Sequence, residues 1–206
     1  MNNYLTILSK SIWAGILIGL AGMGFLSNSI IGIFLFAFGL SAIILYKAKL
    51  FTGVSGFINN TQDLKELPFV LLGNIIGCYL ISHLTMMNST EIIINAITIL
   101  EKRINNGPII NGVLGIGCGI LMTTAVNFAK KYDNIIYWTP LFLGVPLFIV
   151  CGFPHCIADA FYYLSCPHYI LLEYNRIILL NYLSIVIGNF IGCNLYRLFM
   201  INQNKE

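Results

Sequence analysis

Long stretches without a charged residue are the feature of this sequence that most limits its fold. No Asp, Glu, Lys or Arg lies between Lys10 and Lys47, and similar gaps follow along the chain. Only 9% of the 206 residues are charged, against about 25% in a soluble domain, and 58% are hydrophobic. A soluble fold cannot bury that much apolar surface, so the lipid bilayer is the solvent for most of this all-α chain.

The charge-free stretches divide into six predicted transmembrane spans in a single membrane domain. A bilayer core about 30 Å thick needs roughly 20 apolar residues per helix, so the stretch between Lys10 and Lys47 is too long for one span. It divides at residues 27–29, Ser-Asn-Ser, because these side chains favour turns. The predicted spans are 10–26, 30–48, 67–87, 109–129, 135–165 and 177–198.

The placement of lysine and arginine predicts the orientation of the chain. With the N-terminus inside, six positive residues lie on the inner side and three on the outer side. The inner six are Lys10, Lys65, Lys130, Lys131, Arg197 and Lys205, and the outer three are Lys102, Arg103 and Arg176. The positive-inside rule therefore predicts that both termini are cytoplasmic, in the cell (inner) membrane. The net charge of +3 predicts no nucleic-acid partner.

The third and sixth spans contain nearly the same segment. Residues 71–80 read LLGNIIGCYL, and residues 186–195 read VIGNFIGCNL. Their glycines favour close helix packing, whereas the matching Asn74 and Asn189 need buried hydrogen-bond partners. The two copies divide the protein into halves of three spans each.

Because each half has an odd number of spans, the second half enters the membrane from the opposite side. Such an inverted repeat recurs in transporters and channels. The predicted halves are residues 1–88 and 109–206, joined by an outer connecting segment over residues 89–108. A weaker similarity aligns residues 14–17 of span one with residues 111–114 of span four.

The second span of each half is a poor continuous helix. Residues 50–56 read LFTGVSG, and residues 151–159 read CGFPHCIAD, where Gly152 and Pro154 interrupt a helix. Irregular backbone in the middle of a membrane occurs only where it is buried in protein or lines a cavity. Interrupted helices at matching positions of inverted halves therefore predict a permeation site where these two segments meet.

At these residues the chain resembles the formate/nitrite transporter family. In that family the second helix breaks at a Leu-Phe-Thr loop and the fifth at a Gly-Phe-Glu-His loop. The matching residues here are Leu50, Phe51 and Thr52 in the second span and Gly152, Phe153, Pro154 and His155 in the fifth. Further matches are Ile157, Ala158, Asp159 and Phe161, then Gly115, Ile116 and Cys118, and the two Gly-Asn-x-x-Gly segments.

The resemblance implies an aquaporin-like protomer of six helices, a homopentamer with one pathway per protomer, and passage of a small monovalent anion or its acid. Formate and nitrite are the leading substrates, with hydrosulfide, acetate and lactate in the family's range. Implied pathway residues are Leu40, Leu50 and Phe51 at a cytoplasmic constriction, Phe36 and Phe148 at an outer one, and the anion-attracting Lys102. From the residues alone, core packing explains the apolar ones equally well. No cofactor, metal or enzyme activity is implied.

Three residues depart from the family pattern. Lys49 stands where an acid is usual, Pro154 replaces the Glu before His155, and Gly119 replaces an Asn. Three roles are open for Lys49: its side chain snorkels to the inner interface, pairs with Asp159, or adds a positive field that favours anions.

The position of His155 in a broken helix predicts how an anion avoids the desolvation energy of entering hydrocarbon. A bare anion faces a large desolvation cost, and a neutral acid does not. A protonatable histidine between apolar constrictions can lend the anion a proton, or its positive field and the loop N–H groups can hold the anion. Thr52 is expected to hydrogen-bond His155 or the solute across the two loops.

Three other functions compete with anion transport as interpretations of the sequence. A channel for a neutral small solute is the main alternative, although no Asn-Pro-Ala pair of an aquaporin is present. A haem protein or thiol oxidoreductase is not expected, because the three histidines lie far apart and the six cysteines show no Cys-x-x-Cys spacing. A structural scaffold without transport is the third alternative.

Overall fold

The computed structural model describes residues 3–131 and 134–199, and Lys205 of the orientation argument lies outside them. The described residues form α-helices joined by short turns, with 3-10 turns at Ser55–Phe57 and Ile135–Trp138. The helices are α1 (Asn3–Ser27), α2 (Ser29–Leu45), α3 (Phe51–Val54), α4 (Thr61–Met86), α5 (Thr90–Lys131), α6 (Thr139–Val150), α7 (Cys156–Leu164), α8 (His168–Glu173) and α9 (Asn175–Phe199).

Four helices, α1, α4, α5 and α9, are long and apolar enough to cross a membrane. The second and fifth spans are broken, as the sequence predicts: α2 ends at Leu45 before α3, and α6 ends at Val150 before α7. The irregular segments are residues 46–50 and 151–155. Residues 51–57, which the sequence placed in a loop, are helical instead, because a buried side chain binds the first free N–H of α3.

Two further boundaries differ from the predicted spans. The third span begins at Thr61 rather than near residue 67, because the Asn60 side chain caps the helix by accepting the Asp63 N–H at 2.9 Å. The connecting segment over residues 89–108 is largely helical and belongs to α5. Gly107, with φ of 75°, interrupts that helix just before the membrane-spanning part.

The helices pair in the same way in the two halves: α1 packs along α4, and α5 packs along α9. A Cβ atom on Gly15 would collide with the carbonyl oxygen of Asn74, and one on Gly119 would collide with that of Asn189. Gly15 is therefore the structural counterpart of Gly119, and the expected match of residues 14–17 with the start of span four is wrong.

Candidate permeation site

Asn74 holds the broken end of the second span. Its Oδ1 accepts the Phe51 N–H at 2.8 Å, which is the first free N–H group of α3. Its Nδ2 donates to the carbonyl oxygens of Ser11 at 2.7 Å and Lys49 at 2.8 Å. The fully buried amide thus uses its oxygen and both of its hydrogens, as burial in an apolar interior requires.

Asn189 does the same for the fifth span. Its Oδ1 accepts the Cys156 N–H at 2.8 Å, and its Nδ2 donates to the carbonyl oxygens of Gly115 at 2.9 Å and Pro154 at 3.0 Å. Each asparagine therefore ties a short helix and the loop before it to a neighbouring long helix. The repeated Gly-Asn segment thus holds both broken spans in the same way, and the loops of the two spans meet at one place.

His155 lies at that point, 1% exposed, as the N-cap of α7. Its Nδ1 accepts the Ala158 N–H at 3.2 Å, so the hydrogen of the neutral ring is on Nε2. Nε2 lies 2.9 Å from Thr52 Oγ1 in the opposite loop, and the Nε2–H donates to that oxygen. The structure thus brings Thr52 and His155 together in one hydrogen bond between the two halves.

Asp159 forms a buried ion pair with a residue that the sequence placed on the outer surface. Arg103 Nε donates to Asp159 Oδ1 at 2.7 Å, and Arg103 Nη1 donates to the Gly152 carbonyl at 3.0 Å. The two residues are 6% and 1% exposed. Asp159 Oδ2 also accepts the His155 N–H at 2.9 Å, so the pair fixes both ends of the loop that carries the imidazole.

The expected pair between Lys49 and Asp159 is wrong. Lys49 Nζ instead donates to Glu66 Oε2 at 2.6 Å. Lys49 precedes α3 and pairs with α4, whereas Asp159 lies in α7 and pairs with Arg103 of α5, so each charge has a partner of its own. The unrecognised partner was Arg103. An acid inside a span requires a nearby cation, and this requirement is the signal that points to an arginine in the outer segment.

A cavity of about 110 Å³ lies against His155, on the side that the sequence predicts to face outward; it is called the outer cavity below. Lys102 and Phe148 line it together with His155, Arg103 and Asp159. Within the described part of the chain Lys102 has no carboxylate partner, so its charge is uncompensated at this cavity.

Phe148 packs beside His155, and Phe36 packs against Phe148. The Phe148 ring lies 5.7 Å from the imidazole and 6.0 Å from the Phe36 ring, measured between centroids. Both phenylalanines are at most 3% exposed. The structure therefore brings the two residues of the expected outer constriction into contact with each other and one of them into contact with the histidine.

A larger cavity of about 490 Å³ lies on the side that the sequence predicts to face the cytoplasm; it is called the inner cavity below. Leu40 and Leu50 line it, together with the lysines Lys47, Lys49 and Lys130. Phe51, the third residue of the expected inner constriction, is buried but does not line this cavity. Each of the two cavities is thus lined by lysine, and the Thr52–His155 hydrogen bond lies between them.

The inverted halves, the two broken spans and the cavities on either side of His155 define a multi-pass helical membrane transport protein. The chain belongs to the formate/nitrite transporter family, since the model of that family, described as "Formate/nitrite transporter", matches residues 2–201. No protein of curated function matches the sequence.

Two solved structures have the same fold. A "Pentameric formate channel with formate bound" is 19% identical over 98% of this chain and 98% of its own, with a TM-score of 0.81. An "FNT family ion channel" is 19% identical over 100% of this chain and 92% of its own, with a TM-score of 0.84. At these identities the likeness establishes the aquaporin-like architecture of broken second and fifth helices.

Proposed function

We propose that the chain conducts a small monovalent anion or its acid past His155, with formate or nitrite as the leading substrate and hydrosulfide or acetate as further candidates. The observation that supports this most is the Thr52–His155 hydrogen bond of 2.9 Å, which lies between the inner and outer cavities. Family membership and the solved formate channel of the same fold favour the same substrate class.

The proposed route begins at cationic side chains and continues through an apolar region. Lys102 attracts the anion into the outer cavity, whose size admits only a small solute. The anion then meets the Thr52 hydroxyl and the Nε2–H of His155. Proton transfer from the protonated imidazole gives a neutral ring and the neutral acid, and the acid passes Leu40 and Leu50 without the desolvation cost of a charge.

A neutral imidazole that gave up its Nε2 proton would become an imidazolate, so His155 lends a proton only from its imidazolium form, after taking an extra proton from the solution. Because Nδ1 of the neutral ring accepts the Ala158 N–H, forming the imidazolium breaks this cap bond, and passing the Nε2 proton to the anion leaves a neutral ring. Asn74, Asn189 and Asp159 support the route by holding the two loops, and they do not contact the solute in this proposal. Lys49 is assigned to its pair with Glu66 and to the positive field of the inner cavity.

Uptake into liposomes tests the proposal. The purified protein is reconstituted, and uptake of formate, nitrite, hydrosulfide and acetate is measured with and without an inward proton gradient. His155→Ala should abolish anion uptake, while His83→Ala, which removes an exposed histidine of α4, should leave it unchanged. Full anion uptake by His155→Ala, or uptake of neutral solutes alone, would contradict the proposal.

We further propose a homopentamer with one pathway per protomer, in the cell membrane, with both termini in the cytoplasm. The pentameric formate channel of the same fold and the excess of inner lysines support these assignments. Native mass spectrometry should give a mass of five chains. Cysteines introduced at the two ends of the chain should react with an impermeant maleimide only after the cytoplasmic side is opened.

A further inference from the structure

The short helix that carries Thr52 is held by side chains of the second half. α3 has four residues, Phe51–Val54, and the 3-10 turn Ser55–Phe57 follows it directly; together they are called the α3 unit below. The end of a helix leaves carbonyl groups that need partners elsewhere in the protein when the helix lies in a membrane. α7 closes its own end, since the Ser165 N–H donates to the Phe161 carbonyl at 3.0 Å. The shorter α3 unit depends on its neighbours.

Two cations bind the carboxyl end of the α3 unit. Arg197, in the last turn of α9, donates to the Gly56 carbonyl from Nε at 3.2 Å and from Nη2 at 3.0 Å. The Tyr196 hydroxyl donates to the same oxygen at 2.9 Å, and Lys130 Nζ of α5 donates to the Gly53 carbonyl at 3.2 Å. The carboxyl end of a helix carries partial negative charge, so both cations stabilise the α3 unit in this place.

The cysteine of the repeated segment in α9 binds the backbone of Thr52 itself. Cys193 is fully buried, and its Sγ donates to the Thr52 carbonyl at 3.4 Å. The matching Cys78 of α4 donates to the Ile157 carbonyl of α7 at 3.4 Å. Each repeated segment therefore binds the short helix of its own half through its asparagine and the short helix of the other half through its cysteine.

The α3 unit also lies in direct contact with the backbone of α9. A Cβ atom on Gly56 would lie 2.7 Å from the Cys193 carbonyl oxygen, so no space separates the two chains there. Packed protein interiors transmit such displacements instead of absorbing them. A shift of the last two turns of α9 therefore moves the α3 unit, and with it the hydroxyl of Thr52 that lies 2.9 Å from His155 Nε2.

We propose that Arg197, together with Cys193, is a positioning residue for transport. Through the α3 unit it holds the Thr52 hydroxyl at hydrogen-bond distance from His155, and it does not itself touch the solute. The inference rests on the proposed function, because that function assigns the Thr52–His155 pair to transport. Arg197, which the sequence indicates only as an inner cation, thus gains a role in the site.

Magic-angle-spinning NMR of the protein in lipid bilayers tests the position of Thr52 without transport. Histidine is labelled with nitrogen-15, and the Nε2 resonance of His155 is assigned by its loss in His155→Ala. Thr52→Val gives the resonance of the broken hydrogen bond. Arg197→Gln should move the resonance in the same direction, and Arg197→Lys, which keeps the charge and a donor, should move it less. Arg176→Gln, an exposed arginine in the first turn of α9, is the matched control and should not move it.

Formate uptake into liposomes gives a second test by a double-mutant cycle. Arg197→Gln should lower uptake about threefold to tenfold, because a displaced site group slows the reaction even when the changed residue is remote. In the Thr52→Val background the same change should have no further effect, since Arg197 acts through the missing hydroxyl. General damage to the fold would instead lower uptake by the same factor in both backgrounds.

An unchanged His155 resonance in Arg197→Gln would overturn the inference, and so would equal factors in the two backgrounds of the cycle. If Arg197→Gln yields no folded protein, Cys193→Ala takes its place in both measurements, and Cys193→Ser, which keeps a donor, is its conservative partner. Should Thr52→Val leave formate uptake unchanged, the proposed function fails. The resonance of His155 then still decides whether Arg197 positions Thr52.

Discussion

Replacing Asp159 by asparagine removes the negative charge that faces a buried arginine. Asp159 Oδ1 lies 2.7 Å from Arg103 Nε, and the two residues are 1% and 6% exposed. The asparagine oxygen can still accept the His155 N–H, so the cap of α7 survives. The change therefore isolates the charge of the pair from its hydrogen bonds to the loop.

Because the pair is buried, the loss of stability on removing one charge is large. At 2.7 Å and an effective dielectric constant of about 20, Coulomb's law gives about 6 kcal/mol of gross attraction. Part of this offsets the desolvation of both ions. Leaving one ion of a buried pair without its partner typically costs about 3–5 kcal/mol, and we expect Asp159→Asn to lower the free energy of unfolding by that amount. High salt should not reproduce the loss, because buried pairs are poorly screened.

The double variant Arg103→Gln with Asp159→Asn provides the control. Glutamine can donate to the asparagine oxygen or to the Gly152 carbonyl, so a neutral hydrogen-bonded pair replaces the ionic one. It should recover most of the stability that either single change loses. The measurement is unfolding of the purified protein in detergent, followed by the fluorescence of Trp13 and Trp138.

The reasoning would be refuted if each single variant stayed within about 0.5 kcal/mol of wild type, the range of ordinary surface substitutions. It would be refuted equally if the double variant were as unstable as the sum of the two single changes, because the residues would then not be coupled. Formate uptake by the double variant then reports whether His155 still functions beside a neutral pair.

Three further results are expected. Thr52→Val removes the hydroxyl that binds His155 Nε2 and should lower formate uptake at least tenfold without loss of folded protein. A tenfold decrease corresponds to a barrier that is higher by about 1.4 kcal/mol. Gly119→Ala should disrupt the packing of α5 on α9 and lower the yield of folded protein, whereas Gly24→Ala, where a Cβ meets nothing within 4 Å, should not. Lys102→Gln should slow anion uptake from the outside, and the difference from wild type should shrink as ionic strength rises.

The fold was predictable from sequence because lipid imposes strong rules. Charge-free stretches mark spans, and the repeated Gly-Asn segment marks the symmetry, so six spans with broken second and fifth helices followed directly. Helix ends were predicted less well. Residues 50–56 have an apolar and glycine-rich sequence that looks irregular, whereas the structure has a helix from Phe51, whose N–H is bound by Asn74, a residue distant in sequence.

The charges of the site were predictable only in part. An acid inside the membrane needs a cation, but the sequence alone does not show which lysine or arginine lies near it, because distance along the chain does not rank the candidates. Pairing with Asp159 was one of three roles open for Lys49, because the two loops meet, but the loops approach from opposite sides of the membrane. Their inner and outer ends are therefore apart, and Glu66 and Arg103 are the actual partners.

The inverted repeat places Leu50 and His155 at equivalent positions with different chemistry. Each is the N-cap of the short helix that follows a break, but the Leu50 side chain cannot accept a hydrogen bond, whereas His155 Nδ1 accepts the Ala158 N–H. Leu50 therefore faces the inner cavity as an apolar wall, and His155 faces the outer cavity as a polar one. In the orientation proposed above, a solute from outside meets the imidazole before the apolar wall, and a solute from inside meets the wall first. In the proposed route, one structural element, used twice, thus separates the step that neutralises an anion from the step that excludes charge.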